Sequence, residues 1–456
     1  MELLDFPAEL FAQVIHLLVD GVGVCDAFKY RAVCRAFAAE IFQNVTAHQP
    51  ANAFLLPKSH GPTRSSQAYN AFKRLFIQYG AVILRSRLAG LSAFSSPVAL
   101  WAKELVEILV DMEGSGAEAV RDAYAADICA SIAVNLRERA YDAIVLDSNW
   151  VGRYDSQKLE FDKSAEHFPH LLPAAAAAVG NVELFQATIA PAFDPLEAAY
   201  PFKSALTAAA ATGKTKVMEK VFGQLSVALD ADATSGNLRV TTKVAAPLYD
   251  ALRACIHASR PAAAEAIYDF LLRTQNQCLD KYIASRKEKL MRLCIEYGEP
   301  RTADCVIGFI GGGKFSIALC QYLFSHGDGS VLRLLIEKGY IDPNMAKCFV
   351  DHSHLSTTTP LAVELNANCI HLFETLLSGG ADIDGTPDIH LGVSLLWHAA
   401  NAGNEDRVKF LLGHGADPES HEDWRSPLQV AKERGRAEIT DMLLEAKQAR
   451  GGGTEM

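Results

Sequence analysis

No Lys or Arg precedes Lys29, and Glu2 and Asp5 make the opening acidic, so the positively charged start of a secretory signal is missing. No apolar run approaches the ~20 residues a membrane helix needs. Among the longest is Leu171 to Val179, which is mostly Ala and interrupted by Pro173. None of the ten cysteines forms a C-x-x-C pair, and most lie in apolar stretches such as Leu293-Cys294-Ile295. Free buried thiols in a reducing compartment fit that pattern, which gives an expected location in the cytoplasm, the nucleus or both. Basic charge is also short. The 43 Lys and Arg against 54 Asp and Glu leave a net charge of −11, which argues against general nucleic-acid binding. A Gly-x-Ser-x-Gly elbow, a His-Glu-x-x-His pair and a dinucleotide fingerprint are all missing, so no enzyme, cofactor, metal, membrane or nucleic-acid partner is expected. What remains is an ordinary globular composition, half apolar and about a fifth charged.

What the chain has instead is repetition. Ser394-Leu395-Leu396-Trp397-His398-Ala399-Ala400, followed by Gly403, Val408, Leu411-Leu412 and Gly415-Ala416-Asp417, recurs 32 positions later as Ser426-Pro427-Leu428-Gln429-Val430-Ala431 with Gly435, Ile439 and Leu443-Leu444. A third copy lies upstream, in Thr359-Pro360-Leu361, Phe373, Leu376-Leu377 and Gly380-Ala381-Asp382. Ser or Thr before a helix accepts a bond from a first-turn N–H, and Pro at the first helical position gives up an N–H that has no partner there. Paired alanines let the helix sit close to its neighbour, and the following Gly ends it in the left-handed conformation. The Leu-Leu pair lies on a second helix. Such a pair buries too little by itself, so the units must stack.

These residues closely resemble the ankyrin repeat, which implies an all-α helical solenoid with short hairpin loops that binds proteins. Weaker copies run backward through Leu335-Ile336 with Gly339, Val306-Ile307, Pro247-Leu248 through Leu271-Leu272, Ser204-Ala205-Leu206 with Gly213, and Ala176-Ala177 with Gly180. About seven to nine repeats are expected over residues 166–447. A polar insertion is expected from about Asp230 to Lys243, and a flexible tail over 448–456.

The first 45 residues carry a different signal. Asp5-Phe6-Pro7-Ala8-Glu9-Leu10 reads as a helix start, with Leu10, Val14 and Leu18 every four residues beyond it. A Gly/Val/Cys connector leads to a second amphipathic stretch over Asp26–Phe37 that ends Val33-Cys34-Arg35-Ala36-Phe37. The order of residues resembles an F-box, with Phe6 where the family usually has Leu and Val14 where Ile is usual. That resemblance implies docking on the Skp-type adaptor of a cullin-RING ubiquitin ligase, through Phe6, Pro7, Glu9, Leu10, Val14, Ile15, Leu18, Val33 and Cys34. The protein would then be a substrate-recognition subunit whose solenoid holds a target. The alternative is an ankyrin scaffold with no ligase link, in which these helices only cap the solenoid. Residues 46–165 read as a helical connector that could hold worn repeats. Within it, 50–67 is an expected linker, and 101–110, 118–130 and 132–144 have helical periodicity.

Three clusters remain. Gly308-Phe309-Ile310-Gly311-Gly312-Gly313-Lys314 approaches a P-loop, but Phe315 stands where a magnesium-binding hydroxyl belongs, which favours a glycine-rich turn. Cys348, His352, His354, Cys369 and His371 match no common zinc spacing. The loops before the last two strong repeats hold Asp384, Asp388, Glu419, Glu422 and Asp423 beside Trp424 and Arg425. They are solvated loop acids or an acidic edge for a basic partner, with Trp424 as its apolar anchor.

Overall fold

The computed structural model describes residues 6–54, 67–89, 97–114, 116–145, 168–189, 194–235, 239–297, 300–310, 319, 322–323, 329–344, 347–351, 354–361, 370–385, 392–420 and 426–451. The fold is an all-α arrangement of stacked helices, to which one two-stranded antiparallel hairpin, Lys347–Asp351 with His354–Thr358, is added. The chain divides into two compact units, Met1–Ile283 and Ala284–Met456. That division falls inside the span expected to be one solenoid.

The first unit opens with α1 (Ala8–Val22), a single turn at Val24–Ala27, a 3₁₀ stretch over Phe28–Ala32, and α2 (Arg35–Gln43). The sequence predicts one helix over Asp26–Phe37, but the structure breaks it at Cys34, whose backbone is extended at φ −163° and ψ 172°. The reason is geometric. Positions 28 and 37 would face opposite sides of a continuous helix. The break lets Phe28 reach Tyr79 (ring centroids 5.2 Å apart) while Phe37 packs edge-on against Phe11 (5.5 Å). Arg31 then lies over Phe28, Phe42 and Tyr79 and donates from Nη1 to the Tyr79 hydroxyl at 2.9 Å. This guanidinium joins the opening helices to the next segment.

That segment is a helical bundle: α3 (Gln67–Ala89), α4 (Pro97–Glu113), α5 (Glu118–Leu136) and the short α6 (Ala140–Ile144). Its three main helices run 23, 17 and 19 residues, longer than the seven- to nine-residue helices found in several of the hairpins that follow. Tyr141 sits at its centre, fully buried. It is stacked on Phe72 at 5.3 Å, flanked by Tyr69 and Phe76, and donates to the Phe54 carbonyl at 2.8 Å.

Three helical hairpins follow: α7 (Phe168–Val179) with α8 (Val182–Thr188), α9 (Ala205–Thr212) with α10 (Thr215–Ser235), and α11 (Arg239–His257) with α12 (Pro261–Thr274). Helices α7, α9 and α11 stack as an inner layer, and α10 and α12 pack outside it. The inner surfaces are alanine, with Ala174–Ala178 and Ala208–Ala211 buried, so the backbones approach closely enough for the Thr212 hydroxyl to donate to the Ala178 carbonyl at 2.7 Å. Helix α5 packs against α7 and α9 as a further member of that layer. These hairpins therefore group with the bundle before them, which places the division between units after them. The expected polar insertion at 230–243 is mostly helical, because α10 runs on to Ser235 and α11 begins at Arg239. In the sequence Gly236, Asn237 and Leu238 lie between them.

In the second unit the clearest hairpins are α13 (Lys287–Tyr297) with α14 (Pro300–Ile310), then, past α15 (Ser330–Glu337) and α16 (Ile370–Ser378), α17 (Leu395–Ala402) with α18 (Glu405–Gly413) and α19 (Pro427–Glu433) with α20 (Ala437–Gly451). Helix α17 stacks on α19, and α18 on α20. The capping expected from sequence is present at Ser204 and Ser394, whose hydroxyls accept from the N–H of Thr207 and Trp397. Each such cap contributes about 1 kcal/mol. Ser426 makes no such bond, and there Pro427 alone begins the helix. Inner helices close at positive φ: Gly213 (77°), Gly403 (73°) and, in place of glycine, Ser259 (49°). The residue after each closing turn packs over the previous turn, Arg260 over Gly213 and Arg436 over Gly403. Because the sequence puts Ser at 259, the hairpin around it lacks the glycine that marks its neighbours.

Candidate functional site

Helix α1 presents two apolar faces. Leu10, Val14 and Leu17, at i, i+4 and i+7, lie on the outer face and are exposed, Leu17 at 70% and Leu10 at 47%. Ile15 and Val19 lie on the inner face, at 0% and 1%. Phe6 and Pro7, which precede the helix, are exposed as well, and Glu9 is exposed in the first turn, where the positive helix end favours a carboxylate. Beyond the connector, Val33 stands 62% exposed and Tyr30 is exposed, while Cys34 is half-buried. Six of the twelve large apolar side chains exposed among the described residues thus fall between Phe6 and Val33. A concentration of that kind marks a surface that gains by being covered.

Of the residues singled out from sequence, Ile15 is corrected by this arrangement. Its side chain is core, one residue round the helix from Val14, and it has no exposed surface to offer a partner. Leu18 is half-buried and holds the edge between the two faces. Leu17 and Tyr30 belong to the exposed group and were not read from sequence, although the i, i+4, i+7 series through 10, 14 and 17 carries the signal for Leu17. The inner face is fixed by polar contacts too. Asn44 Nδ2 and Gln49 Nε2 donate to His16 Nδ1 at 3.2 and 3.3 Å, and Gln49 Nε2 also donates to Asn44 Oδ1 at 2.8 Å.

The acidic loops of the second unit have a different use. Asp342, Asp382 and Asp417 each accept, through Oδ1, the N–H two residues ahead, closing an Asx turn. The residue so held then reaches across to the next loop. Asn344 Oδ1 accepts from the Asp382 N–H at 2.7 Å while its Nδ2 donates to the Gly380 carbonyl, and Asp384 Oδ1 accepts from the Asp417 N–H at 2.8 Å. Glu419 continues the series as an ion pair with Lys447 at 2.6 Å. Asp384 and Glu419 are thus committed to joining one repeat to the next, whereas Asp388, Glu422, Asp423, Trp424 and Arg425 lie outside the described residues.

Burial is the first cause raising the Asp384 carboxyl above its ordinary value, assisted by Asp417 and Asp382 and opposed by the bond from the Asp417 N–H. A folded-state pKa above the unfolded one means that this group's share of stability is present at low pH and is lost as pH rises through the raised value. Asp384→Asn keeps the acceptor without the charge, so it should leave stability at pH 7 within about 0.5 kcal/mol, whereas Asp384→Ala should cost about 1–2 kcal/mol by leaving the Asp417 N–H without its acceptor. Urea unfolding of the two variants checks this, and equal losses would show that charge, not the hydrogen bond, joins the loops.

The remaining clusters add no site. Among the described residues no group of three His, Cys, Asp or Glu could hold a metal, and no helix is long and apolar enough to cross a membrane. Cys348 and His354 lie on the two strands of the hairpin and His371 in α16, while His352 and Cys369 lie outside the described residues. Gly308 to Ile310 end α14, and the rest of the glycine-rich run lies outside the described residues.

The family model for ankyrin repeats matches residues 360–451 in three copies. Over 84 residues, 18% of this chain, the sequence is 36% identical to an Arabidopsis thaliana protein named "Putative E3 ubiquitin-protein ligase XBAT35". The matched stretch spans 18% of that relative's length. The second unit therefore contains ankyrin repeats, a protein-binding scaffold built by stacking.

Proposed function

We propose that this protein is the substrate-recognition subunit of a cullin-RING ubiquitin ligase. Its first 45 residues dock on a Skp-type adaptor and its stacked repeats hold the protein to be modified. In this reading the work is binding, with the chemistry left to the other subunits. The exposed apolar group Phe6, Leu10, Val14, Leu17 and Val33, with Pro7 and Cys34 beside it, carries the reading, because it stands on the segment whose order of residues resembles an F-box. Likeness of one stretch to a protein named as an E3 ubiquitin-protein ligase supports the same class of work.

Titrating the chain with a Skp-type adaptor tests it. Saturable binding is expected, and the double variant Leu10→Asp/Val33→Asp should weaken it at least about a hundredfold, since two charges would be forced against an apolar interface. Helical content should be unchanged. No saturation by the wild-type chain would leave a protein-binding ankyrin scaffold with no ligase link, its opening helices serving as a cap.

A further inference from the structure

Between Glu40 and Glu104 the sequence has no Asp or Glu, although 54 of the chain's 456 residues are acidic and about seven would fall there at that frequency. Seven Lys and Arg lie in the same stretch. Near its middle is α3, which carries Lys73, Arg74, Arg85 and Arg87 and no carboxylate. A segment so one-sided, in a chain of net charge −11, sets up a local positive field.

Two of the four cations are used internally. Lys73 pairs with Glu138 at 3.0 Å, and Arg87 is buried over the Phe54 ring. Arg74 and Arg85 are exposed, and neither meets a carboxylate among the described residues. On the elements packed against α3, Asp127 pairs with Lys214 and Asp26 with Lys29, while Asp142 accepts from the Tyr69 hydroxyl. The two arginines bound a single stripe. Arg74, Ile77, Gln78, Val82 and Arg85, at i, i+3, i+4, i+8 and i+11, are exposed along the face opposite Tyr69, Phe72, Phe76 and Ile83. At 1.5 Å of rise per residue the arginines stand about 16 Å apart along the axis, three turns, with the apolar pair between them. Ile77 is 36% exposed and Val82 43%.

We propose that this face of α3 docks an amphipathic helix of a partner protein, one carrying two carboxylates three turns apart with apolar side chains between them. Charge selects the carboxylates, since each guanidinium fork can bond both oxygens of one. The apolar pair selects what lies between, because covering Ile77 and Val82 takes them out of water. An extended segment fits less well. The backbone groups of α3 are spent within the helix, so a strand laid on it finds no ladder to join, whereas a helix arrives with its own backbone bonds made. An anionic lipid surface is disfavoured as well, since two partly exposed apolar side chains are too few to anchor a helix and the net charge of −11 opposes approach. The proposal is independent of whether the N-terminal helices dock on an adaptor.

The test is selection on the full chain from a displayed library of helical peptides of about 20 residues, with counter-selection on Arg74→Glu/Arg85→Glu. Both positions are exposed, so the double variant should keep its helical content and urea midpoint; if it does not, Arg74→Gln/Arg85→Gln takes its place. Peptides retained by the wild-type chain alone should carry Asp or Glu three turns apart, with apolar residues between them on the same face. A synthetic copy of the most enriched one should bind more weakly as salt rises. It should lose affinity about tenfold or more in the double arginine variant, and about threefold or more in Ile77→Ser/Val82→Ser. An enriched set without the acidic pair, or no peptide that distinguishes the two proteins, would overturn the proposal. So would affinity indifferent to Ile77→Ser/Val82→Ser. Arginine-dependent binding to phosphatidylserine vesicles without an enriched peptide would overturn it in favour of a membrane. Arginine-dependent self-association, again without such a peptide, would overturn it in favour of a second copy of the chain.

Discussion

Ile15→Asp will unfold the N-terminal helical unit, while Leu10→Asp, five residues earlier on the same helix, will leave it folded. Ile15 is fully buried, and His16, next to it, is held by Asn44 and Gln49. A carboxylate at 15 would lose its water with no cation in its place, at a cost of about 3 kcal/mol or more. Leu10 is nearly half exposed and stands in the first turn of α1, where the helix end is positive and favours an acid. Its replacement should change stability by no more than about 0.5 kcal/mol. Proteolysis of the two variants, read at the peptide bonds around residues 21–34, separates them, with early cleavage in Ile15→Asp only. Equal resistance would show that α1 is not packed by its inner face. The contrast also decides how adaptor binding is to be tested, since a variant at 15 would abolish binding by unfolding its own surface.

The second large effect lies at Tyr141. This side chain packs against Tyr69, Phe72 and Phe76, and its hydroxyl holds the carbonyl of Phe54, itself buried between Phe72 and Phe76. Tyr141→Ala should cost about 3–5 kcal/mol, through lost burial and the cavity left among four aromatic rings. Tyr141→Phe keeps the ring and loses the donor, leaving a buried carbonyl without its hydrogen bond, for about 1–2 kcal/mol. Urea unfolding followed by circular dichroism measures both. If the Phe variant lost as much as the Ala variant, the hydrogen bond would hold the bundle and the aromatic stacking would matter little.

Most of the repeat architecture was legible because each unit repeats its punctuation. A cap, a paired alanine and a closing glycine recur at Ser204, Ala208-Ala209 and Gly213 and again at Ser394, Ala399-Ala400 and Gly403, each with a local physical cause. Where the chain satisfies the same geometry with another residue, the reading weakens. Ser259 adopts positive φ in place of a glycine, so the α11–α12 hairpin showed only its apolar residues. Helix α3 was passed over although Tyr69, Phe72, Phe76, Ile83 and Arg87 are spaced for one buried face. Gly80 interrupts that face, and it is explained only by its place beside Phe76 and Ala133 of α5.

The candidate sites divide in the same way. Sequence pointed to the opening helix and its apolar residues, but not to which of them face outward, since Val14 and Ile15 are equally apolar and only packing against the following segments separates them. It also left the loop acids as either solvated acids or an acidic edge for a basic partner, and could not show that Asp384 spends its carboxylate on the next loop's N–H.

By itself, then, the sequence determined the all-α class and the stacked hairpins, because caps, turns and helical periodicity act over a few neighbouring residues. Only the tertiary structure decided which apolar side chains are left uncovered, where the chain divides into units, and that Arg137, Lys203, Arg253 and His257 share one cavity. These residues are separated by as many as 120 positions and come together through the packing of α5, α9 and α11. No local pattern encodes such a meeting, since it depends on how far each helix runs and on how closely its alanines let the next one approach.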